Sequence, residues 1–426
     1  MAMKPSTYAL SSLVLTVLSS ATTLLAPRIL SETEFAAFVV LTSFFQMTSR
    51  FDLGLSERAD QHSARRMSLM NGSDSLIAAR FVIAASIFAL SFIALSLFKI
   101  QIPMISNTDV LLALGSGLLA MVAVGPVTVA RGRNDIRTFA ILALSLQLGM
   151  TAPRFLGIIF GGTTGCFSVL LIWYFLFSTR ALLGLKTAKI ECKALLNEIR
   201  NALPLFAFST LWLGYQFSAR WISVFISNPE SFAQLAFAFN LLAIMTGTLT
   251  TIGQAYYPKY LVLASNHQTK ELDDQFQKAA ITLLLGFFFV LLLGLPFMHA
   301  GLSAFYVNHL KNITKIMIMS VAILPLSLAL WFTPLILALT LRPLIDALFF
   351  LMPSFLSLLI LMVIGNQFAS SQGQAYAILA SSFVTLILCL TLLTRHKITS
   401  IRSASSYYNL SFGLTLFLLI EIHFIS

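Results

Sequence analysis

Charge is what this sequence has least of. Only 10% of its 426 residues are Asp, Glu, Lys or Arg, while 58% are apolar and the mean hydropathy is +0.88. A water-soluble globule needs more polar side chains than this to cover itself, so the surrounding solvent is lipid. Cysteine is nearly absent as well. Cys166, Cys192 and Cys389 lie far apart, in or beside apolar runs, which excludes a disulfide framework and a cysteine metal site. No phosphate-binding glycine loop, histidine-rich metal pattern or nucleophile elbow occurs, and no cofactor is implied. Gly161, Gly162 and Gly165 fall in a turn between two apolar runs.

What the sequence does have is a succession of apolar stretches, each near the roughly 20 residues that a helix needs to cross about 30 Å of hydrocarbon. The pattern predicts spans over 7–26, 33–50, 76–98, 108–130, 137–159, 164–184, 203–226, 232–255, 277–299, 313–338, 343–364, 373–394 and 407–425. The expected fold class is therefore all-α, a polytopic membrane protein with 12 to 13 transmembrane helices. The apolar run after Lys4 continues to Ala26 without a small-residue cleavage site and reads as the first helix, not a signal peptide.

The net charge of +11 could point to nucleic acid, but the basic residues alternate with the loops. With the N-terminus inside, cytoplasmic loops carry Arg58, Arg65 and Arg66, then Arg131 and Arg133, then Lys186, Lys189, Lys193 and Arg200, then Lys259 and Lys270, then Arg395, Lys397 and Arg402. The opposite loops hold mainly Arg28, Lys99 and Lys311. This is positive-inside asymmetry, and no nucleic-acid partner is expected. External loops such as "SNPES" and "IGNQFASSQGQ" are too short for an extracytoplasmic catalytic unit, so no enzyme activity is expected.

The most charged linker, "GLKTAKIECKALLNEIRNA", divides the chain into an N-terminal six-helix lobe over 1–184, a cytoplasmic linker over 185–202, a C-terminal six-helix lobe over 203–394 and an additional helix within 395–426. An internal echo supports two lobes. "SETEFAAFVV" at the second span matches "NPESFAQLAF" at the eighth, aligning Phe35 with Phe232 and Ala36 with Ala233, 197 residues later. Both segments enter from outside, as in a parallel repeat about the membrane normal.

Several of these pieces fall in a familiar order. "ILSETEFAAFVV" follows span one, "FDLGLSERADQ" follows span two, "SARWISVFISNPESFAQLAFAFNLL" covers spans seven and eight, and "QAYYPKY" leaves span eight. Together they resemble the polysaccharide or O-antigen flippases (Wzx-type) of the multidrug/oligosaccharidyl-lipid/polysaccharide exporter superfamily. The chain departs from that pattern at Ala219, where many relatives carry Asp, and at Ala36 and Ala233, where they carry Gly. The resemblance implies two lobes around a central cleft, alternating access, and an undecaprenyl-pyrophosphate-linked oligosaccharide as cargo, in the bacterial inner membrane. Membrane lipids, a glycan polymerase or chain-length regulator, and a coupling ion (proton or sodium) are the further partners it allows. The rivals are a membrane polysaccharide polymerase or glycosyltransferase, and a lipid II or multidrug exporter of the same superfamily.

A charged side chain at membrane depth costs roughly 2.5–3.5 kcal/mol on insertion scales, which makes the few deep ones functional candidates. Arg220 in span seven and Arg154 in span five sit in the outer half. Either they hold the cargo's pyrophosphate, for which a guanidinium is a planar fork of donors, or they snorkel to the outer headgroups. Arg28 ends the first span on the outside, where the positive-inside rule does not explain it. Gln216, Asn240 and Gln254, with Tyr215, Tyr256 and Tyr257, either contact sugar hydroxyls or bond between helices. Arg50, Asp52 and Arg58 form either an inner gate, with Gly54 allowing close helix approach, or an ordinary solvated helix end. Arg80 and Arg180 read as cytoplasmic anchors, and Arg342 and Asp346 as a local pair at helical spacing. Asp52, Asp346 and Glu421 are the candidate acids for ion coupling, and no metal site is expected.

Overall fold

The computed structural model describes residues 5–56, 58, 73–98, 105–132, 136–183, 192–227, 229–265, 269–305, 313–339 and 342–425. Fourteen helices account for nearly all of them: α1 Pro5–Ile29, α2 Glu32–Thr48, α3 Ser73–Phe98, α4 Asn107–Ala123, α5 Gly125–Gly132, α6 Ile136–Leu148, α7 Ala152–Leu183, α8 Cys192–Ile226, α9 Pro229–Ser265, α10 Thr269–Phe305, α11 Ile313–Val321, α12 Ile323–Leu339, α13 Pro343–Arg395 and α14 Ile401–Ile425. There is no strand among the described residues. This follows from the solvent, since lipid offers no partner for an open backbone and each span must satisfy its own hydrogen bonds.

The sequence signals helix starts where polar side chains can take up free N–H groups. Ser31 caps α2 and forms a capping box, the Glu34 carboxylate accepting the Ser31 N–H at 3.0 Å. Ser106 caps α4 by accepting from the Asp109 N–H at 3.1 Å. Three expected spans are interrupted: at Val124 between α4 and α5, at residues 149–151 between α6 and α7, and at Ala322 between α11 and α12.

Two of the helices double back. In α7, Gly161 and Gly162 leave helical geometry, Gly162 with φ at +58°, as the glycine-rich turn predicts. A Cβ on Gly157 would lie 2.7 Å from the Gly165 carbonyl oxygen. Eight residues of straight helix would separate them by about 12 Å, so the chain reverses between them. In α13 the same test brings Gly365 within 2.7 Å of the Gly373 backbone, and this helix reverses too. Each hairpin is a close backbone contact that only glycine permits.

Nine segments among the described residues are long and apolar enough to cross a membrane, and 14–29 is a shorter apolar helix. One of the nine, 137–183, contains the Gly161–Gly162 reversal and so makes two crossings. Helices also occupy the remaining expected spans. The chain is a multi-pass membrane protein.

Two compact units divide it, Met1–Leu213 and Gly214–Ser426, with the boundary inside α8. In the first unit α4 packs against α2, α3 and α7. In the second, α11 and α12 are flanked by α9, α10, α13 and α14. Helix α2 buries every residue from Phe35 to Ser43, and α11 buries every one from Lys315 to Val321, the pattern of helices apolar on all sides at the centre of a bundle. The outer helices carry large apolar side chains on open faces, including Leu90, Phe92 and Leu97 on α3 and Val290, Leu293 and Phe297 on α10. Hydrocarbon tails are their natural neighbours.

The linker expected over 185–202 lies partly outside the described residues, and from Cys192 onward it is already helical. The first half of α8 belongs to unit 1 for a packing reason. The turn after α2 carries Leu53 and Gly54 at positive φ, and a Cβ on Gly54 would lie 2.6 Å from the Ala202 carbonyl oxygen. Phe51 meets Phe206 edge-on at 4.9 Å, and Ile199 joins the cluster of Leu55, Ile83, Leu118, Met121 and Val129.

Candidate functional site

In the first unit the buried cation is Arg154, near the start of α7, with 3% of its surface exposed. Its Nη1 donates to the Thr23 hydroxyl at 3.4 Å and its Nη2 to the Thr42 hydroxyl at 3.3 Å. The guanidinium lies 4.9 Å from the Phe38 ring centroid. Its Nε is buried without a partner. α1, α2 and α7 thus converge on one guanidinium, and among the described residues no carboxylate pairs with it.

In the second unit the corresponding cation is Arg220, near the end of α8, 5% exposed. Nη2 donates to the Phe239 carbonyl at 3.2 Å, and the Phe217 and Phe239 rings lie 5.3 and 5.8 Å away. Nη1 is buried without a partner, and so is Nδ2 of the neighbouring Asn240. Again no carboxylate pairs with the guanidinium among the described residues. Side chains that snorkelled to the headgroups would be exposed, so burial removes that reading for both arginines. A guanidinium keeps its charge under nearly all conditions, and a buried one with neutral partners leaves its desolvation unrepaid by Coulomb attraction. Aromatic faces recover part of this, about 0.5–2 kcal/mol each.

A third buried arginine does have a carboxylate partner, although its Nε and Nη1 are buried without partners of their own. Arg80, read from sequence as a cytoplasmic anchor, is instead buried with Asp52, their side chains 1% and 3% exposed and 2.8 Å apart. The same Nη2 reaches Ser56 and Thr128. Asp52 also accepts the Gly54 and Ser56 N–H groups at 3.2 and 3.0 Å and the Ser56 hydroxyl at 2.6 Å. The carboxylate fixes the turn that Gly54 presses onto α8. Of the other residues in the expected gate, Arg50 is exposed and Arg58 half-buried.

The remaining candidates scatter. Arg28 is exposed at the end of α1, Gln216 is half-buried, and the side chains of Gln254, Tyr256 and Tyr257 lie outside the described residues, as do Glu57, Arg65, Arg66, Arg133, Lys186 and Lys189. Tyr215 bonds between helices: its hydroxyl accepts from Thr385 at 2.6 Å and lies 3.2 Å from the Ser381 hydroxyl. Asp346 lies 2.9 Å from His396, just past the far end of α13. No group of three or more His, Cys, Asp or Glu that could hold a metal occurs among the described residues.

No protein family and no curated protein matches the sequence. Solved structures do match the fold. The lipid II flippase MurJ in an inward closed conformation aligns with a TM-score of 0.66 at 15% identity, over 98% of this chain and 97% of that one. An inward-facing multidrug resistance transporter of the MATE family, in the MOP superfamily, aligns at 0.67 and 13%, over 94% and 98%. A MATE transporter of Vibrio cholerae aligns at 0.64 and 12%, over 92% and 98%. The chain has the fold of these exporters. At such identities the likeness speaks for architecture alone, and the chemistry must be argued from the side chains.

Sequence reasoning found Arg154, Arg220 and Asp52 but missed two buried partnerships. Lys315 donates to Gln234 at 2.6 Å, both buried in unit 2. Lys315 falls inside the expected span 313–338, and its burial against Gln234 comes from tertiary packing that the pattern does not show. The cluster in which Gln374 donates to Ser227 at 3.0 Å and to Asn366 at 2.7 Å was hidden for the same reason.

Proposed function

We propose that this chain is a flippase that moves an undecaprenyl-pyrophosphate-linked oligosaccharide, an O-antigen or capsule repeat unit, across the bacterial inner membrane. It works by alternating access, with its N-terminus in the cytoplasm and no bond made or broken. The observation that carries the reading is the pair of buried guanidinium groups, Arg154 and Arg220, each lacking a carboxylate partner among the described residues and each keeping an N–H group unpartnered. Isolated cations in an apolar interior suit an anionic guest, and a guanidinium presents its donors in the plane that phosphate oxygens accept. The polyprenyl tail stays in lipid while the polar head crosses. Support for the general class comes from the fold, shared over nearly its whole length with a lipid II flippase.

The second reading is a multidrug exporter, favoured by the likeness to MATE transporters. A cationic drug would meet two buried positive charges, and this disfavours it. The two readings separate in cells. Changing Arg220 to Ala should lower surface glycan about tenfold or more at unchanged protein level, the size expected when a buried charged hydrogen bond worth 1.5–3 kcal/mol is lost. Wild-type surface glycan in that variant, with drug efflux present instead, would reject the flippase reading.

A further inference from the structure

The two isolated guanidinium groups occupy the same place in the two units. The echo that aligns Phe35 with Phe232 fixes an offset of 197 between the first helices of each unit. At that offset Thr23, which Arg154 bonds, falls on Arg220 itself, and Thr42, which Arg154 also bonds, falls on Phe239, the residue whose carbonyl Arg220 bonds. Both contacts of the first site therefore map onto the second. The hairpins give an independent register. Gly157 and Gly165 correspond to Gly365 and Gly373 at an offset of 208, each pair in the same backbone contact. Arg154 then falls on Met362, which is fully buried.

We infer that each unit contains one anion-accepting guanidinium at a single repeat-equivalent place, where its first two helices meet its fifth, and that the two units present it from different helices. Unit 1 supplies it from the fifth helix, with a threonine at the first-helix position. Unit 2 supplies it from the first-helix position, with a methionine on the fifth. Each place pairs one large cationic side chain with one smaller neutral one. The ligand class is a phosphate or pyrophosphate oxyanion. This inference rests on the proposed anionic cargo but adds that the place, not the helix, is what function requires.

The test relocates each cation to the helix that the other unit uses. Arg154→Met is combined with Thr23→Arg, and Arg220→Thr with Met362→Arg. Purified proteins in detergent are titrated with inorganic pyrophosphate and, separately, with polyprenyl pyrophosphate in micelles, which distinguishes a free phosphate ligand from a lipid-borne one. The thermal unfolding midpoint is the readout. Arg154→Met and Arg220→Thr alone should each lose most of the ligand-induced shift, and each relocated double variant should regain at least half of it. Loss in the single variants without recovery in the doubles would overturn the equivalence while leaving the anionic cargo standing. Single variants with an undiminished shift would overturn both. Should a single variant elute as aggregate, recovery of a monodisperse peak on relocation supports the equivalence, and continued aggregation counts against it.

Discussion

The two units bury positive charge in different company. Unit 1 holds one arginine, Arg80, matched by the carboxylate of Asp52, and a second, Arg154, that meets two hydroxyls and a ring and has no carboxylate partner among the described residues. Unit 2 holds Arg220 on a carbonyl and two rings, and Lys315 on the amide of Gln234. The contrast separates structural from available charge. Arg80 also leaves Nε and Nη1 unpartnered, so the difference lies in charge. Asp52 neutralises Arg80 at the turn that seats against α8, whereas no carboxylate among the described residues neutralises Arg154 or Arg220, the two cations held in reserve. Breaking a matched pair should therefore cost stability, and removing a reserve cation should cost transport.

The largest stability loss should come from Asp52→Asn, which leaves Arg80 buried beside a neutral amide. Orphaning one member of a buried pair costs about 3–5 kcal/mol, and thermal unfolding in detergent should drop accordingly, with Arg154→Met far less affected. A drop of equal size in Arg154→Met would erase the distinction between matched and reserve charge. Next, Gly157→Ala and Gly365→Ala should destabilise similarly, by about 1–3 kcal/mol each, because a new Cβ in both hairpins meets backbone that cannot give way. Clearly unequal losses would break the correspondence of the two hairpins. The smallest effect should be Thr385→Val, which removes the hydrogen bond to Tyr215 at a cost of about 1 kcal/mol while leaving glycan export intact. Loss of export in a stable Thr385→Val protein would move Tyr215 from packing to function.

Much of the architecture was legible because lipid imposes a simple rule, long apolar runs with basic residues between them. Helices occupy every expected span, three of them with a break, and the turn at Gly161–Gly162 lies where the glycines predicted it. The breaks at Val124 and Ala322 stand just before Pro126 and Pro325, which cannot donate to the carbonyl four residues back, a local signal that the continuous apolar pattern outweighed. Depth could be read for Arg154 and Arg220, but their partners could not. Thr23 and Thr42 are ordinary residues in apolar helices, and only the fold brings them to a cation 131 and 112 residues away. Arg80 misled for the opposite reason: near a helix end it looks like an anchor, and only the fold shows Asp52 turned inward to meet it. Equivalence between the two cations was invisible because the repeat preserves their place and not their helix.

The central claim is that the reserve cations exist to receive the cargo's phosphates. The direct measurement is calorimetric titration of inorganic pyrophosphate into the purified protein, wild type beside the double variant Arg154→Met/Arg220→Thr. Saturable binding in the wild type and none in a folded double variant is the predicted result. Equal binding by both proteins, or no binding by the wild type, would contradict it.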